Sequence, residues 1–210
     1  MNHMNLKRVE FEAKSLQEAE KLAVEQLKLQ IDKIKLTVLK EKKGLLGFGT
    51  STFYEATPNV NLATEGKVYL ENILKTMDIK TRMEVRTMNE GTELYYHIES
   101  DENALLIGRE GRSLLALQFM LRNYLNLFVD DHLIVSLDIG NYHENRKKQL
   151  EILATKTAKE VAQTKIAVKL DPMNAFDRRI IHTKLSEWRD VITESEGEGE
   201  QRALVIKPKR

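Results

Sequence analysis

An α+β fold made of three small domains is predicted for this 210-residue chain by three observations. Short runs in which apolar and charged residues alternate occur in three separate clusters, each one the period-two signature of a half-buried strand. Each cluster is accompanied by segments with apolar residues three and four positions apart, the signature of an amphipathic helix. Turn-forming glycines punctuate all three clusters, at 44–49, 108–111 and 197–199. The expected boundaries are 1–57 for a β-α-β-β module, 61–140 for an α-β-β-α-α-β domain and 142–208 for a C-terminal α/β domain.

In the first module, Val9 and Phe11 alternate with charge and predict a strand. Ser15-Leu16-Gln17-Glu18 fits a capping box, and Leu16, Ala19, Ala23 and Leu27 give the helix it opens an apolar stripe. Ile34, Leu36 and Val38, then Thr50 to Tyr54, read as two further strands. Between them lies Lys42-Lys43-Gly44-Leu45-Leu46-Gly47-Phe48-Gly49. No Gly-Lys-Ser/Thr follows, so it is not a phosphate loop of the Walker type, and neither the glycine spacing nor a following helix fits a dinucleotide fingerprint. Two readings stay open: a plain hairpin connection, or a partner-binding loop in which Lys43, Gly44, Leu45, Leu46, Gly47, Phe48 and Gly49 present an apolar tip beside positive charge.

The second domain opens with a helical pattern from Asn61 to Met77, carried by Val68, Ile73, Leu74 and Met77. A strand from Lys80 to Met88 follows, then the turn Asn89-Glu90-Gly91, and then a strand in which Leu94, Tyr96 and Ile98 alternate with Tyr95, His97 and Glu99. A short helix near Glu102 to Ile107 leads into Gly108-Arg109-Glu110-Gly111-Arg112. Leu114, Leu117, Leu121, Leu125 and Phe128 recur at helical spacing beyond it, and Leu133, Val135 and Leu137 close the domain as a strand. Glycine tolerates positive φ and close approach of a ligand to the main chain, while the first turn of the following helix offers unpaired N–H groups and the positive end of its dipole. Ile107, Gly108, Arg109, Glu110, Gly111 and Arg112 are therefore the first candidate nucleic-acid site. This order of elements and the Gly-x-x-Gly spacing resemble a type II KH domain over residues 61–139, whose glycine loop clamps about four nucleotides. Glu110 departs from that pattern, because an acidic residue stands where a basic one is usual.

Near the C-terminus, a helix with Leu150, Leu153, Ala154, Val161 and Ala162 on one face runs from about Asn145 to Ile166. Asp171-Pro172-Met173-Asn174 then precedes a helix carrying Arg178, Arg179 and His182. Arg178 and His182 are four residues apart and share a face. An arginine offers a bidentate fork to phosphate, and an imidazole one turn away adds a donor or a stacking surface. A solvated pair with no function is the bland alternative. The spacing, with strand-like Val191 to Thr193 and Arg202 to Ile206 flanking the acidic stretch 194–200, resembles the Arg-x-x-x-His nucleic-acid-binding domain, written R-three-H. Arg178, Arg179, His182 and Arg202 complete the candidate nucleic-acid residues.

Three such modules in this order resemble the bacterial Jag family, the SpoIIIJ-associated proteins. That resemblance implies a cytoplasmic RNA-binding protein linked to cell elongation and division. Its implied partners are RNA, with single-stranded DNA as a second candidate, a small protein consisting of a single KH domain, and, indirectly, the membrane insertase or the elongation machinery; a homodimer is a further expectation. A protein adaptor using the KH fold as a docking or dimerisation scaffold is the alternative.

Composition sets limits on these readings. With 41% apolar and 31% charged residues the chain has the balance of folded globular units, and it contains no cysteine, which removes disulfides, thiolate nucleophiles and zinc–cysteine sites. The five histidines show no metal-ligand spacing and no carboxylate pair stands beside a nucleophile, so neither a metal, a cofactor nor catalysis is expected. Charge is unevenly shared. Residues 1–60 carry a net +2, residues 61–140 hold eight basic against thirteen acidic side chains, and residues 141–210 hold fifteen against eleven. The attraction for a polyanion is therefore expected from the C-terminal domain, where Arg146, Lys147, Lys148, Lys165, Lys169 and Lys184 join the candidate residues, and fit from the glycine loop.

Overall fold

A computed structural model describes residues 5–43 and 50–209, which fall into two compact units, Met1–Gly140 and Asn141–Arg210. The first unit begins with β1 (Val9–Ala13), α1 (Leu16–Leu27), β2 (Ile34–Lys43) and β3 (Thr50–Pro58), assembled as an antiparallel sheet in the order β1-β3-β2. The hydroxyl of Ser15 caps α1 by accepting from the Glu18 N–H, and the Glu18 carboxylate returns a bond to the N–H of Lys14 at 2.8 Å. Ala19, Ala23 and Leu27 are buried on the sheet, whereas Leu16, expected in the same stripe, is exposed. A bulge at Leu39 shifts the β2–β3 register, and both Val38 and Leu39 face solvent there. Gly44, Leu45, Leu46, Gly47, Phe48 and Gly49, the centre of the expected partner-binding loop, lie outside the described residues.

The second half of this unit comprises α2 (Leu62–Thr76), β4 (Thr81–Met88), β5 (Glu93–Ser100), α3 (Asn103–Ile107), α4 (Arg112–Leu125) and β6 (Ile134–Ile139). β5 is central, antiparallel to β4 and parallel to β6. A parallel pair needs a crossover, and α3, the glycine loop and α4 supply it. The loop's position between two helices thus follows from strand direction. Leu94, Tyr96 and Ile98 are buried as their alternation predicts, and Leu70, Leu74, Leu114, Leu121 and Leu125 of the helices are buried too. Gly66 allows α2 to approach the sheet: a Cβ there would come within 2.2 Å of the Tyr96 hydroxyl, which donates to the carbonyls of Leu62 and Ala63.

Packing crosses the sequence-read boundary near residue 60. Phe128, three residues beyond the end of α4, is buried in the same cluster as Phe11, Ala23, Leu27 and Tyr54. Leu6 bridges to Val129, and the Lys7 N–H donates to the Phe128 carbonyl at 3.0 Å. Lys33 donates to the Tyr124 hydroxyl at 2.8 Å and pairs with Glu65, which also accepts from Tyr124. Burial works to lower the Lys33 pKa and to raise that of Glu65, but these mutual hydrogen bonds outweigh it: Lys33 is raised and Glu65 lowered from their ordinary values.

The second unit contains α5 (Tyr142–Thr164), β7 (Val168–Lys169), α6 (Ala175–Leu185), β8 (Val191–Glu196) and β9 (Ala203–Pro208), with the sheet ordered β7-β9-β8 and antiparallel throughout. Leu150, Ala154, Ala158 and Val161 of α5 pack with Ile181, Leu185, Leu204 and Ile206, and Trp188 is half-buried beside them. Leu153, expected on that face, is exposed, and Thr157 and Ala158 take the buried positions instead. The two-residue strand β7 is too short to leave a periodic signal. Among the described residues no helix is long and apolar enough to cross a membrane.

Candidate nucleic-acid interface

The glycine loop is a feature of backbone conformation. Gly108 has φ +70° and ψ −179°, a region closed to residues with a Cβ, and Gly111 has φ +78°. A Cβ on Gly108 would also stand 2.2 Å from the Ser113 hydroxyl. Glu110 itself is left-handed, at φ +55°. The loop is closed by the Gly111 N–H donating to the Gly108 carbonyl at 3.3 Å, and Gly108 donates back to Ala104 to end α3. α4 starts at Arg112 with no side chain capping it, because its cap residue is Gly111. Its opening turn therefore keeps the positive end of the helix dipole without a side-chain cap. Arg109 and Arg112 are exposed, while Ile107 and Glu110 are half-buried.

The C-terminal site is built from side chains. Asn174 caps α6 by accepting from the Asp177 N–H at 2.9 Å. Arg178 donates through Nη1 to the carbonyl of Met173 at 3.1 Å and to that of Arg202 at 3.5 Å, tying the loop before α6 to the start of β9. His182 lies one turn on, with Nδ1 at 2.6 Å from the Thr193 hydroxyl, which turns Nε2 away from β8. Arg178, His182 and the backbone of Arg202 therefore come together, with His182 and the Arg202 side chain exposed and Arg178 half-buried. Arg179 does not join them, since one residue rotates about 100° around a helix. Thr193, which orients the imidazole, was not anticipated; its only sequence signal is its place in the β8 alternation, one residue before Glu194.

Several basic residues counted on for attraction are engaged. Arg146 binds the buried Asp177 through Nε and Nη2 at 3.0 and 2.8 Å, Lys148 pairs with Glu144 and Lys184 with Glu151. Arg146 consequently locks α5 to α6. Glu194 and Glu196 pair with Lys207 across β8 and β9, on the sheet face opposite to Thr193 and His182. Those two carboxylates do not shield the Arg178 face. Among the described residues no group of three or more His, Asp or Glu side chains is arranged to hold a metal ion.

Fold and site together define a class: a modular α+β protein with a glycine-loop helix pair in a β-α-α-β crossover, followed by an Arg-x-x-x-His helix on a small sheet. Residues 11–52 match the Jag N-terminus family and residues 148–208 the R-three-H domain family. The chain is 34% identical over 202 residues to the RNA-binding protein KhpB of Clostridium symbiosum, covering 94% of this chain and 90% of the relative. It is equally identical, again over 202 residues, to the RNA-binding protein KhpB of Bacillus subtilis, with 94% and 96% covered. The Lactiplantibacillus plantarum RNA-binding protein KhpB is 36% identical over 138 residues, which is 66% of this chain and 42% of that protein. This chain belongs to the Jag family.

Proposed function

We propose that this protein binds single-stranded RNA and acts as a bacterial post-transcriptional regulator rather than an enzyme. The observation that carries the reading is the presence in one chain of an intact Gly108–Gly111 loop at the head of α4 and an Arg178/His182 pair fixed on one face of α6. Relatives aligned along nearly the whole chain bear the name RNA-binding protein, which supports it. In this reading the glycine loop lets a sugar-phosphate backbone lie against the opening turn of α4, with Arg109 and Arg112 alongside. Arg178 holds a phosphate with the guanidinium N–H groups not given to carbonyls, and His182 donates or stacks through the edge turned from β8. The segments 1–57, 61–140 and 142–208 carry separate tasks, although the first two share a core, and the first presents Lys43 to Gly49 to a protein partner. A small single-KH-domain protein, a second copy of the chain, and the insertase or elongation machinery in the cytoplasm are the partners proposed.

The adaptor alternative is favoured by one observation: Leu115, Phe119 and Met120 form an exposed apolar stripe on α4, beside the net acidic charge of residues 61–140. The two readings separate in one experiment. The full chain is titrated by fluorescence anisotropy into labelled single-stranded RNA drawn from a mixed cellular pool, with duplex RNA as competitor. Salt-dependent binding that duplex RNA displaces poorly is the expected result. No binding at low salt would sink the RNA reading in favour of the adaptor.

A further inference from the structure

α6 borders a cleft on the side away from Arg178 and His182. Phe176, Arg179, Ile180 and Thr183 project away from the Arg178/His182 face and meet His143 and Lys147 of α5 across a cleft of about 710 Å³. Phe176 is 62% exposed, so core packing does not account for a large aromatic in the first turn of a helix. Its ring stands edge-on to His143 with centroids 6.4 Å apart, leaving aromatic surface open to the cleft. Lys147 and Arg179 have no carboxylate within ion-pair distance among the described residues, whereas their neighbours Arg146, Lys148 and Lys184 all do. The two carboxylates that face the cleft, Glu144 and Glu151, are already neutralised by Lys148 and Lys184. A second cleft, of about 570 Å³, shares Glu151 and Lys184 with the first and continues along α5 past Ile152, Lys156 and Lys159. Cations spaced along a groove with an exposed aromatic ring and a half-buried imidazole at one end are a combination suited to holding a single strand by phosphate attraction and base stacking.

We propose that the α5–α6 cleft is a second RNA subsite, in which Phe176 and His143 stack bases while Lys147 and Arg179 hold the adjoining phosphates. This rests on the RNA-binding reading and extends it: the strand engages α6 on two sides, through Arg178 and His182 on one and through the cleft on the other. Duplex RNA offers no unstacked base to Phe176, so the subsite selects single strands.

The test uses the full chain and labelled single-stranded RNAs of graded length. Phe176→Ala should weaken binding of the longer strands on the order of tenfold, and Phe176→Trp should restore it, because a stacking surface is returned. Lys147→Gln with Arg179→Gln should make the slope of log K against log salt shallower by about 1.4, two phosphate contacts at 0.7 each. The melting temperature should not fall, since all three side chains are exposed and alanine favours a helix more than phenylalanine does. Wild-type affinity and slope in these variants, while Arg178→Ala/His182→Ala weakens binding, would overturn the cleft and leave the RNA reading standing. A wild-type chain that binds no RNA would overturn both. Equal displacement of RNA by polyglutamate would assign the cleft to acidic chains in general and also overturn the proposal.

Discussion

The glycine loop of the first unit and the Arg178/His182 face of the second are built from opposite materials. In the loop the main chain carries the design: positive φ at Gly108, Glu110 and Gly111 turns α3 into α4, and the surrounding residues 61–140 are net acidic. On α6 the side chains carry it, within a unit that is net basic, and each is held by a named partner: Arg178 by the Met173 and Arg202 carbonyls, His182 by Thr193. The difference teaches that shape and charge are supplied separately here. In the proposed RNA-binding reading, the net positive charge of the second unit supplies the long-range attraction and the loop supplies the close fit, adding little charge of its own.

The largest effect expected from breaking this arrangement comes from the backbone element. Gly108→Asp requires a Cβ at φ +70° and against Ser113, so the loop must rearrange. RNA affinity should fall by at least tenfold in a binding titration, and the thermal unfolding midpoint should fall too, because Gly108 is half-buried, Gly111 is buried and the strained backbone costs about 1–3 kcal/mol. A comparable structural break is Gly66→Ala. Its Cβ meets the Tyr96 hydroxyl and ring, so despite the better helix propensity of alanine it should destabilise the first unit by about 1–3 kcal/mol in chemical denaturation. Tyr96→Phe in the same chain should recover part of the loss, because the nearest atom is removed; full additivity of the two substitutions would contradict the clash.

A smaller effect concerns pH. The lowered Glu65 contributes stability that is complete above its unfolded value of about 4.5 and is lost as pH falls through its native value. The raised Lys33 contributes stability that is complete below about 10.5 and is lost as pH rises through its native value. The contribution of this pair to the melting temperature should therefore be flat between those limits, and Glu65→Gln should flatten the acid limb. An unchanged acid limb in that variant would remove the Lys33–Glu65–Tyr124 cluster from the account. Smallest of all is Glu110→Lys, which removes a like charge from the phosphate path and should strengthen RNA binding a few-fold at low salt, the gain fading as salt rises; a loss of affinity would assign Glu110 a contact of its own.

What could be read from the chain follows the same division. The order of strands and helices, the glycine pair and the Arg178/His182 spacing were legible, because periodicity and positive-φ requirements are written locally. Gly66 was not, since its meaning lies in Tyr96, thirty residues on. Nor was the joining of the first two segments: Lys33, Glu65, Tyr124 and Phe128 look like ordinary charged and aromatic positions until tertiary packing brings them together. Arg146 counts as free charge in the sequence because its partner Asp177 lies 31 residues on and is brought to it only by the packing of α5 on α6. Arg179 was grouped with Arg178 by adjacency, although a helix turns neighbours apart and gives Arg179 to the cleft instead.

The most direct test of the division between fit and field is the salt dependence of single-stranded RNA binding, measured in parallel for the wild type, Gly108→Ala and Arg178→Ala/His182→Ala. Gly108→Ala, which strains the loop without adding charge, should lower affinity at every salt concentration with its slope unchanged, while the double variant should lower affinity and make the slope shallower by about 0.7, one phosphate contact. Equal changes of slope in both variants, or none in either, would contradict that division.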